Sequence, residues 1–315
     1  MLSNTSKYIL LFCFICFLPS LGYSQEAIDE RFPEVSGLEE LKYNENYSLA
    51  CHNCYETKYT SEIEEVFSYT NTIELDIWDS EIFYGFFNDW CGGKRMEKDW
   101  YIKHTPYENG NANCFKGSFR KSLKRLLRWS NENPGHDVVT VFIDKKENWS
   151  NDDESRKPGD LDELILSIFG KEKIYSPAGL LQNKNYLKKA VPTNWPSLSA
   201  LKDKFIFVIT DAGFNNNGRN ILDEYLDERR NDAVCFVAPR VSGDDEIFDP
   251  EGISPRNAKN IVFYNMHYKN RELSRKINSL GFISRVYGSP EDIDAFSELI
   301  KRKVNFVAMY NYKLK

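Results

Sequence analysis

Histidine is scarce in this chain, which has four among its 315 residues. The formal net charge of -6 excludes a net basic surface, and non-specific binding to nucleic acid needs such a surface. We therefore predict no nucleic-acid partner. The chain also lacks a Gly-rich phosphate loop, an internal repeat and a low-complexity tract, and the missing loop counts against an open, doubly wound sheet.

The apolar run near the amino terminus, residues 8–18, is too short to span a bilayer comfortably. Lys7 precedes this run and the small residues of Gly22-Tyr23-Ser24 follow it, which is the order of a secretory signal peptide. We predict a signal peptide over residues 1–24, one domain over residues 25–315, and a secreted or periplasmic location. An uncleaved amino-terminal anchor is the alternative.

Cysteine is also infrequent, and five of the seven cysteines follow the predicted signal peptide. An odd number leaves at least one thiol unpaired within the chain. Cys91 and Cys114 bracket a segment with a candidate catalytic histidine, so one expectation is a disulfide that braces this segment. Cys51 and Cys54 are close in sequence, but no second such pair of cysteines follows the predicted signal peptide. Since zinc usually needs four ligands, we interpret Cys51 and Cys54 as structural. Cys235 lies in an apolar run and is predicted to be a buried core thiol.

Eight short apolar runs, rich in Val, Ile and Phe, predict eight strands that alternate with helix-period segments. Near-continuous apolar runs suit parallel strands that are covered on both faces. The alternation predicts the α/β class and a single (β/α)₈ barrel, with a long insertion after the second strand. The open doubly wound sheet is the alternative. The predicted strands are residues 48–53, 72–78, 138–144, 205–210, 233–239, 261–266, 282–287 and 305–310.

Two insertions interrupt the alternation of strands and helices. Residues 79–107 are predicted to form a hairpin or loop that carries His104 over the barrel mouth, whereas residues 241–260 are acidic and indicate a surface loop. The first insertion contains aromatic residues at 82–87 and at Trp90. These side chains either dip into a membrane surface or pack onto the barrel.

Oxygen-bearing side chains stand at the carboxyl ends of the first three predicted strands, where a barrel places its chemistry. Glu74 and Asp76 are two residues apart on a strand, so both point the same way. Two converging carboxylates repel each other unless a cation lies between them, and an inward Lys or Arg is the alternative to a metal. The predicted ligands of Ca²⁺, with Mg²⁺ as the alternative, are Asn53, Glu74, Asp76 and Asp144.

Two of the histidines, His52 and His104, fall beside these carboxylates and are predicted to move protons. His136 precedes the third predicted strand, so we interpret it as structural at the barrel bottom. His267 follows the sixth predicted strand and is a candidate for contact with substrate. Lys146 and Arg285 also lie near strand ends and are candidates for holding a substrate phosphate or hydroxyl group.

These motifs resemble the X-domain pattern of the phosphoinositide-specific phospholipases C. The resemblance extends from about Leu49 to the carboxyl terminus, and it is strongest over the first three predicted strands. It is most evident for secreted bacterial Ca²⁺-dependent phosphatidylinositol phospholipases C. The motifs that carry it are His52-Asn53, Glu74-x-Asp76, His104 after Trp100-Tyr101-Ile102-Lys103, Asn133-Pro134-Gly135-His136-Asp137-Val138-Val139, Trp195-Pro196-Ser197-Leu198 and, more weakly, Gly281-Phe282-Ile283-Ser284-Arg285.

The resemblance implies a Ca²⁺-dependent phosphodiesterase that cleaves a glycerophospholipid at a membrane surface. A sugar hydroxyl would attack the phosphorus to give a cyclic phosphate and diacylglycerol. His52 corresponds to the histidine at the phosphate, and His104 to the one that protonates the departing alcohol. The acceptor of the hydroxyl proton stays open among Glu74, Asp144 and His52. The same resemblance implies the four metal ligands named above, and no obligate protein partner is inferred.

The chain also departs from the family pattern. Asp144 is followed by Lys145 and Lys146, where a glutamate is more usual as the fourth acidic ligand, and the last strand ends in Met309-Tyr310-Asn311. An Asp-Lys strand ending also resembles sphingomyelinase D and glycerophosphodiester phosphodiesterase barrels. A phosphodiesterase for another head group is therefore one alternative, and a barrel that binds phosphates or glycans without turnover is another.

Overall fold

The apolar runs form strands, as predicted, in a computed structural model that describes residues 41–79, 99–105, 113–114, 118–149, 156–211 and 220–314. All eight predicted strands are present within one or a few residues of the expected ends, and a short additional strand lies in the first insertion. The strands are β1 (Ser48–Cys51), β2 (Thr72–Trp78), β3 (Tyr101–Ile102), β4 (Val139–Lys145), β5 (Phe205–Asp211), β6 (Phe236–Ala238), β7 (Phe263–His267), β8 (Ile283–Tyr287) and β9 (Phe306–Met309).

The strands form one sheet in the order β6-β5-β4-β2-β1-β9-β8-β7, with β3 antiparallel at the end of β2. All the other pairs in this order are parallel. The segment after β6 meets β7 through Asn265 N to Pro239 O at 2.9 Å and Val241 N to Asn265 O at 3.0 Å. The sheet is therefore a nearly closed parallel barrel of eight strands, which confirms the predicted fold over the open alternative.

Helices connect the strands. The longest, α2, begins after Ser118, whose side chain accepts a hydrogen bond from Lys121 N. Its apolar side chains Phe119, Leu123 and Leu126 are buried. The helices are α1 (Ile63–Val66), α2 (Phe119–Glu132), α3 (Pro158–Phe169), α4 (Pro177–Leu181), α5 (Leu187–Asn194), α6 (Ile221–Arg229), α7 (Pro255–Ala258), α8 (Leu273–Ser279) and α9 (Ile293–Lys301). Among the described residues, no helix is long and apolar enough to cross a membrane.

Packed side chains fill the lower part of the barrel. The Tyr43 hydroxyl lies 2.7 Å from Thr140 Oγ1, and the Tyr43 ring is 6.1 Å from that of Phe306. Phe142 meets the same phenylalanine edge to face at 5.5 Å. Every residue of β2 is buried, and strand alternation sends Glu74 to the inside when Leu75 faces the helices. The polar groups of the candidate site lie above this packed layer, which we call the plug, at the carboxyl ends of the strands.

The cysteines differ from one prediction. Cys51 and Cys54 form a disulfide, with Cα atoms 5.6 Å apart, where the chain turns back at the end of β1. Cys114 is a buried free thiol, so the expected Cys91–Cys114 disulfide is wrong, and Cys91 lies outside the described residues. The spacing of the cysteines in the sequence could not reveal that the turn after β1 brings Cys51 and Cys54 close enough to form a disulfide. Cys235 is fully buried, as predicted.

Two other predictions fall outside the described residues. These are the signal peptide at residues 1–24 and the aromatic rim at residues 82–87 and Trp90. The end of the same insertion is described, and β3 pairs with β2 through Ile77 and Ile102. This pairing places His104 just beyond β3, at the mouth of the barrel, which agrees with the predicted hairpin.

Candidate active site

Three carboxylates converge above the plug, as the sequence predicts. Asp76 on β2 lies directly opposite Asp144 on β4 in the sheet register, and Glu74 is the preceding inward residue. Ligand oxygens of all three lie within 4.8 Å of one another. Glu74 is 3% exposed and Asp76 is fully buried, so their charges are largely removed from water. Such a group needs cations to be stable.

Two side-chain cations from the barrel itself meet this need in part. Lys146 Nζ lies 2.9 Å from Asp76 Oδ2 and 2.7 Å from Asp144 Oδ2. Arg285, on β8, reaches across the barrel so that its Nη2 lies 2.7 Å from Glu74 Oε2. On the sequence alone, an inward Lys or Arg is the alternative to a metal for stabilising the carboxylates, and both residue types are present. Lys146 and Arg285 thus pair with the three carboxylates as two positive charges.

The remaining donors fit a hard divalent cation. Asp76 Oδ1 is buried, and it makes no hydrogen bond of standard geometry to any described residue. Asn53, which is 1% exposed, has a left-handed backbone conformation with φ of 52°. Its Oδ1 accepts a hydrogen bond from the Tyr55 hydroxyl at 3.3 Å. Carboxylate and amide oxygens at adjacent strand ends are the ligands that Ca²⁺ takes, and Ca²⁺ tolerates irregular geometry.

His104 contacts the acidic group through Nδ1. This atom lies 3.2 Å from Asp76 Oδ2 and 2.9 Å from Asn53 Nδ2. The two contacts need different forms of the ring, because only a protonated Nδ1 donates to Asp76 and only an unprotonated Nδ1 accepts from the amide. The hydrogen bond with Asp76 raises the pKa of His104, although partial burial opposes this. The ring therefore readily carries a proton.

His52 contacts the acidic group through its other nitrogen. Nε2 lies 3.3 Å from Glu74 Oε2, and Nδ1 is buried without a hydrogen-bond partner in the described part of the chain. The ring stacks on Tyr310, with centroids 4.4 Å apart and planes inclined by 15°. Burial, and next the positive charge of Arg285, lower the pKa of His52 to about 3. This imidazole is neutral at physiological pH.

The other candidates lie at different distances from the centre of the site. Lys146 and Arg285 contact the carboxylates directly, so in this structure they serve as counter-ions. His267, at the end of β7, accepts a hydrogen bond at Nδ1 from Lys269 N at 3.2 Å. Its ring is 5.5 Å from that of Tyr287, which in turn is 6.4 Å from His52. Among the described residues, no hydrogen bond or ion pair joins His267 to the carboxylates.

His136 lies away from the site, where the sequence predicted it. Its Nε2 is 2.8 Å from Ser130 Oγ and its Nδ1 is 2.7 Å from the Asp137 carbonyl oxygen. It precedes β4, so it stands at the opposite end of that strand from Asp144. Both ring nitrogens lie at hydrogen-bonding distance from these oxygens, which fits the structural interpretation.

Four residues of the site were not singled out as functional by sequence reasoning. Thr210 donates to Asp144 Oδ1 at 3.2 Å, and Asn265 accepts from Arg285 at 3.0 Å. Tyr55 contacts Asn53, and Tyr310 stacks on His52. Thr210, Asn265 and Tyr310 are polar positions within or ending predicted strands, and that signal could have found them. Tyr55 lies in a turn, where no periodic pattern points to it.

Comparisons with known proteins point to one enzyme family. The family model for Ca²⁺-dependent phosphoinositide phospholipase C matches residues 102–248. This range contains His104, Asp144 and Lys146. No curated protein matches the sequence significantly.

Solved structures extend the similarity to most of the chain. A calcium-dependent phosphoinositol-specific phospholipase C from the Gram-negative bacterium Pseudomonas sp., an apo form in a myoinositol complex, is 26% identical with a TM-score of 0.77. The match covers 88% of this chain and 92% of that one. A Ca²⁺-dependent phosphatidylinositol-specific phospholipase C from Streptomyces antibioticus, 17% identical, has the same fold with a TM-score of 0.70 and covers 86% and 95%. This chain is therefore similar, over residues 102–248 in sequence and over most of its length in structure, to the Ca²⁺-dependent phosphoinositide phospholipases C, a family of phosphodiesterase enzymes.

Proposed function

We propose that the protein is an exported Ca²⁺-dependent phosphodiesterase that cleaves phosphatidylinositol or a similar glycerophospholipid to a cyclic phosphate and diacylglycerol. The observation that carries the proposal is the convergence of Glu74, Asp76 and Asp144 between two histidines of different character. The similarity to the phosphoinositide phospholipases C supports the reaction class. The predicted signal peptide supports export.

His104 is the proposed general acid. Asp76 holds its Nδ1 at 3.2 Å and raises its pKa, so the proton given to a departing alcohol comes from Nε2. A carboxylate on one ring nitrogen fixes the orientation of the ring and stabilises its charged form. The side chain is 38% exposed, which lets a substrate approach it.

The other residues bind the phosphate and take up the hydroxyl proton. Neutral His52 supplies an N–H group to a phosphate oxygen, and Arg285 and Lys146 supply positive charge nearby. Glu74, Asp144 and His52 face the same space and are the candidate acceptors of the proton from the attacking hydroxyl. In-line attack by this hydroxyl then breaks the bond to the diacylglycerol oxygen, which His104 protonates.

A divalent cation would be held by Glu74, Asp76, Asp144 and Asn53. When bound, it would lower the pKa of the sugar hydroxyl and neutralise charge on the phosphate. Ca²⁺ is the proposed ion, because the family is Ca²⁺-dependent and the ligands are all oxygens. Mg²⁺ demands more regular geometry, so it is the less suitable ion here.

An assay with phosphatidylinositol vesicles tests this function. We expect activity that EDTA abolishes and that added Ca²⁺ restores, with Mg²⁺ restoring less. Phosphorus NMR of the products should show a cyclic inositol phosphate. Full activity in EDTA would contradict the metal requirement. A product that retains phosphate on the lipid, or turnover of only sphingomyelin or lysophospholipid, would instead support a phosphodiesterase for another head group.

A further inference from the structure

Two adjacent lysines at the end of β4 have different surroundings. Lys145 is fully buried, and its Nζ lies 3.0 Å from Asp79 Oδ1 and 2.7 Å from the Glu147 carbonyl oxygen. Lys146 comes two residues after Asp144, and alternate residues of an extended segment point to the same side, so Lys146 points to the side of Asp144. Its side chain is 11% exposed and bridges the carboxylates of Asp76 and Asp144. Lys145 therefore belongs to a separate ionic contact, and Lys146 to the candidate metal ligands.

The ammonium of Lys146 uses oxygens that a cation would need. It lies within 3 Å of one oxygen of Asp76 and one of Asp144, which are two of the three clustered carboxylates. A divalent ion held by the same oxygens would be repelled by the ammonium, and the two cannot share those lone pairs fully.

A lysine alone does not satisfy the carboxylates. It contributes one charge, Arg285 occupies Glu74, and Asp76 Oδ1 is buried and makes no hydrogen bond of standard geometry in the described part of the chain. An ion of higher charge and higher coordination number matches the cluster better than an ammonium does. The Lys146 ammonium therefore balances the carboxylates less completely than a divalent cation would.

We propose that Lys146 is the resident counter-ion of the metal-free protein, and that a divalent cation must displace it from Asp76 and Asp144 in order to bind. This side chain then has two effects. It keeps the two carboxylates in place when no metal is present, and it lowers the affinity for Ca²⁺ because its ion pairs must first be broken. The proposal rests on the proposed function, since it takes Ca²⁺ as the ion.

Calorimetric titration of the metal-free protein with Ca²⁺ tests the competition. We expect Lys146→Met to bind Ca²⁺ about tenfold more tightly than the natural protein, a change that corresponds to about 1.4 kcal/mol. The same variant should have a lower melting temperature in EDTA and a larger increase on addition of Ca²⁺. Lys124→Met, at an exposed position of α2, is the matched control and should change neither quantity. Equal or weaker binding by Lys146→Met would overturn the proposal.

A measurement on the natural protein avoids any effect of the substitution on folding. Reductive methylation with labelled formaldehyde, followed by mass spectrometry, reports how accessible each lysine amine is. Lys146 should react slowly in EDTA, where the carboxylates hold it, and several-fold faster with saturating Ca²⁺. Lys124 should react at the same rate in both conditions. Equal rates for Lys146 with and without Ca²⁺ would count against displacement.

The outcomes also separate this proposal from the proposed function. If Ca²⁺ supports activity and binds equally to the natural protein and to Lys146→Met, only the role of Lys146 is wrong. If neither protein binds Ca²⁺ and the activity persists in EDTA, the metal requirement and the role of Lys146 both fail.

Discussion

The region around His52 and the region around His104 share one acidic cluster but have opposite effects on an imidazole ring. The His52 side chain is 13% exposed, and burial and the charge of Arg285 lower its pKa to about 3. The His104 side chain is 38% exposed, and its hydrogen bond with Asp76 raises its pKa. At neutral pH the first ring is uncharged, whereas the second readily carries a proton.

The two rings differ in burial, in the charge nearby and in the contact that Nδ1 makes. In His104 this atom faces the carboxylate of Asp76, which stabilises the imidazolium form. In His52 it has no hydrogen-bond partner in the described part of the chain, and the ring is held by stacking on Tyr310 instead. Their neighbours therefore give two residues of one type different charge states, which suit the proposed roles of His52 as a donor to phosphate and of His104 as a general acid.

The largest expected effect is on the proposed general acid, His104. Replacing His104 with Gln should lower kcat on phosphatidylinositol by about 10²–10⁴-fold, because this is the usual contribution of a positioned proton donor. The loss should shrink strongly with an analogue whose leaving group is a nitrophenol, since that group departs without a proton. His52→Gln should show a similar loss with both substrates. Steady-state kinetics on the two substrates measures the difference.

A third histidine gives the control for this comparison. His136 is 5% exposed and makes packing contacts at the other end of the barrel. His136→Asn should therefore reduce stability while kcat of the folded protein stays unchanged. If His104→Gln lost equal activity on both substrates, its role as the general acid would be wrong.

The buried pair of Arg285 and Glu74 should have a large effect on stability. Their side chains are 2% and 4% exposed, and removal of one partner leaves an uncompensated buried charge. We expect Arg285→Met to cost about 3–5 kcal/mol of unfolding free energy, measured by urea denaturation in EDTA. The same change should raise the pKa of His52, which histidine proton NMR can detect, and thereby make the two histidines more alike.

Two further variants test the cause of this destabilisation. The double variant Arg285→Met with Glu74→Gln should recover part of the loss, because the unpaired carboxylate is gone. Arg256→Met breaks an exposed pair with Asp227, whose side chains are 63% and 28% exposed, and should cost less than about 1 kcal/mol. A similar cost for the two arginines would contradict the importance of burial.

The sequence predicted the parts of this site that depend on local spacing. The apolar run of β2 predicted a strand, and the separation of two residues placed Glu74 and Asp76 on one side of it. The pairing of Arg285 with Glu74 joins residues 211 positions apart, and it depends on barrel closure. The stacking of Tyr310 on His52 follows from the parallel pairing of β1 with β9. Neither contact has a signature in a single stretch of sequence.

The pH dependence of stability should also separate the two histidines. Since the folded pKa of His52 is about 3, against about 6.5 for an unfolded histidine, the unfolded state binds more protons between these values. Stability therefore rises with pH across this window, by up to about 1.4 kcal/mol per unit. His104 has a raised pKa, so its contribution is fully present below about pH 6.5 and is lost as pH rises through the folded value.

Urea unfolding in EDTA between pH 4 and 9 measures both slopes. His52→Gln should flatten the acid side of the profile, and His104→Gln should flatten the side above about pH 6.5. Identical profiles for the two variants would show that the two regions do not differ in the way proposed.

The smallest expected effect concerns how His52 is held. Tyr310 lies between His52 and Tyr59, with ring centroids 4.4 Å and 5.0 Å away. Such a stacked pair contributes about 0.5–1.5 kcal/mol, so Tyr310→Leu should lower kcat about two- to tenfold with little change in KM. Tyr310→Phe keeps the stack and should retain kcat and the ring-current shift of the His52 Cε1 proton. Equal kcat values for the two variants would mean that packing other than this stack orients the His52 ring. A loss of kcat confined to the leucine variant would show that stacking on an aromatic ring orients His52, where a hydrogen bond at Nδ1 does not.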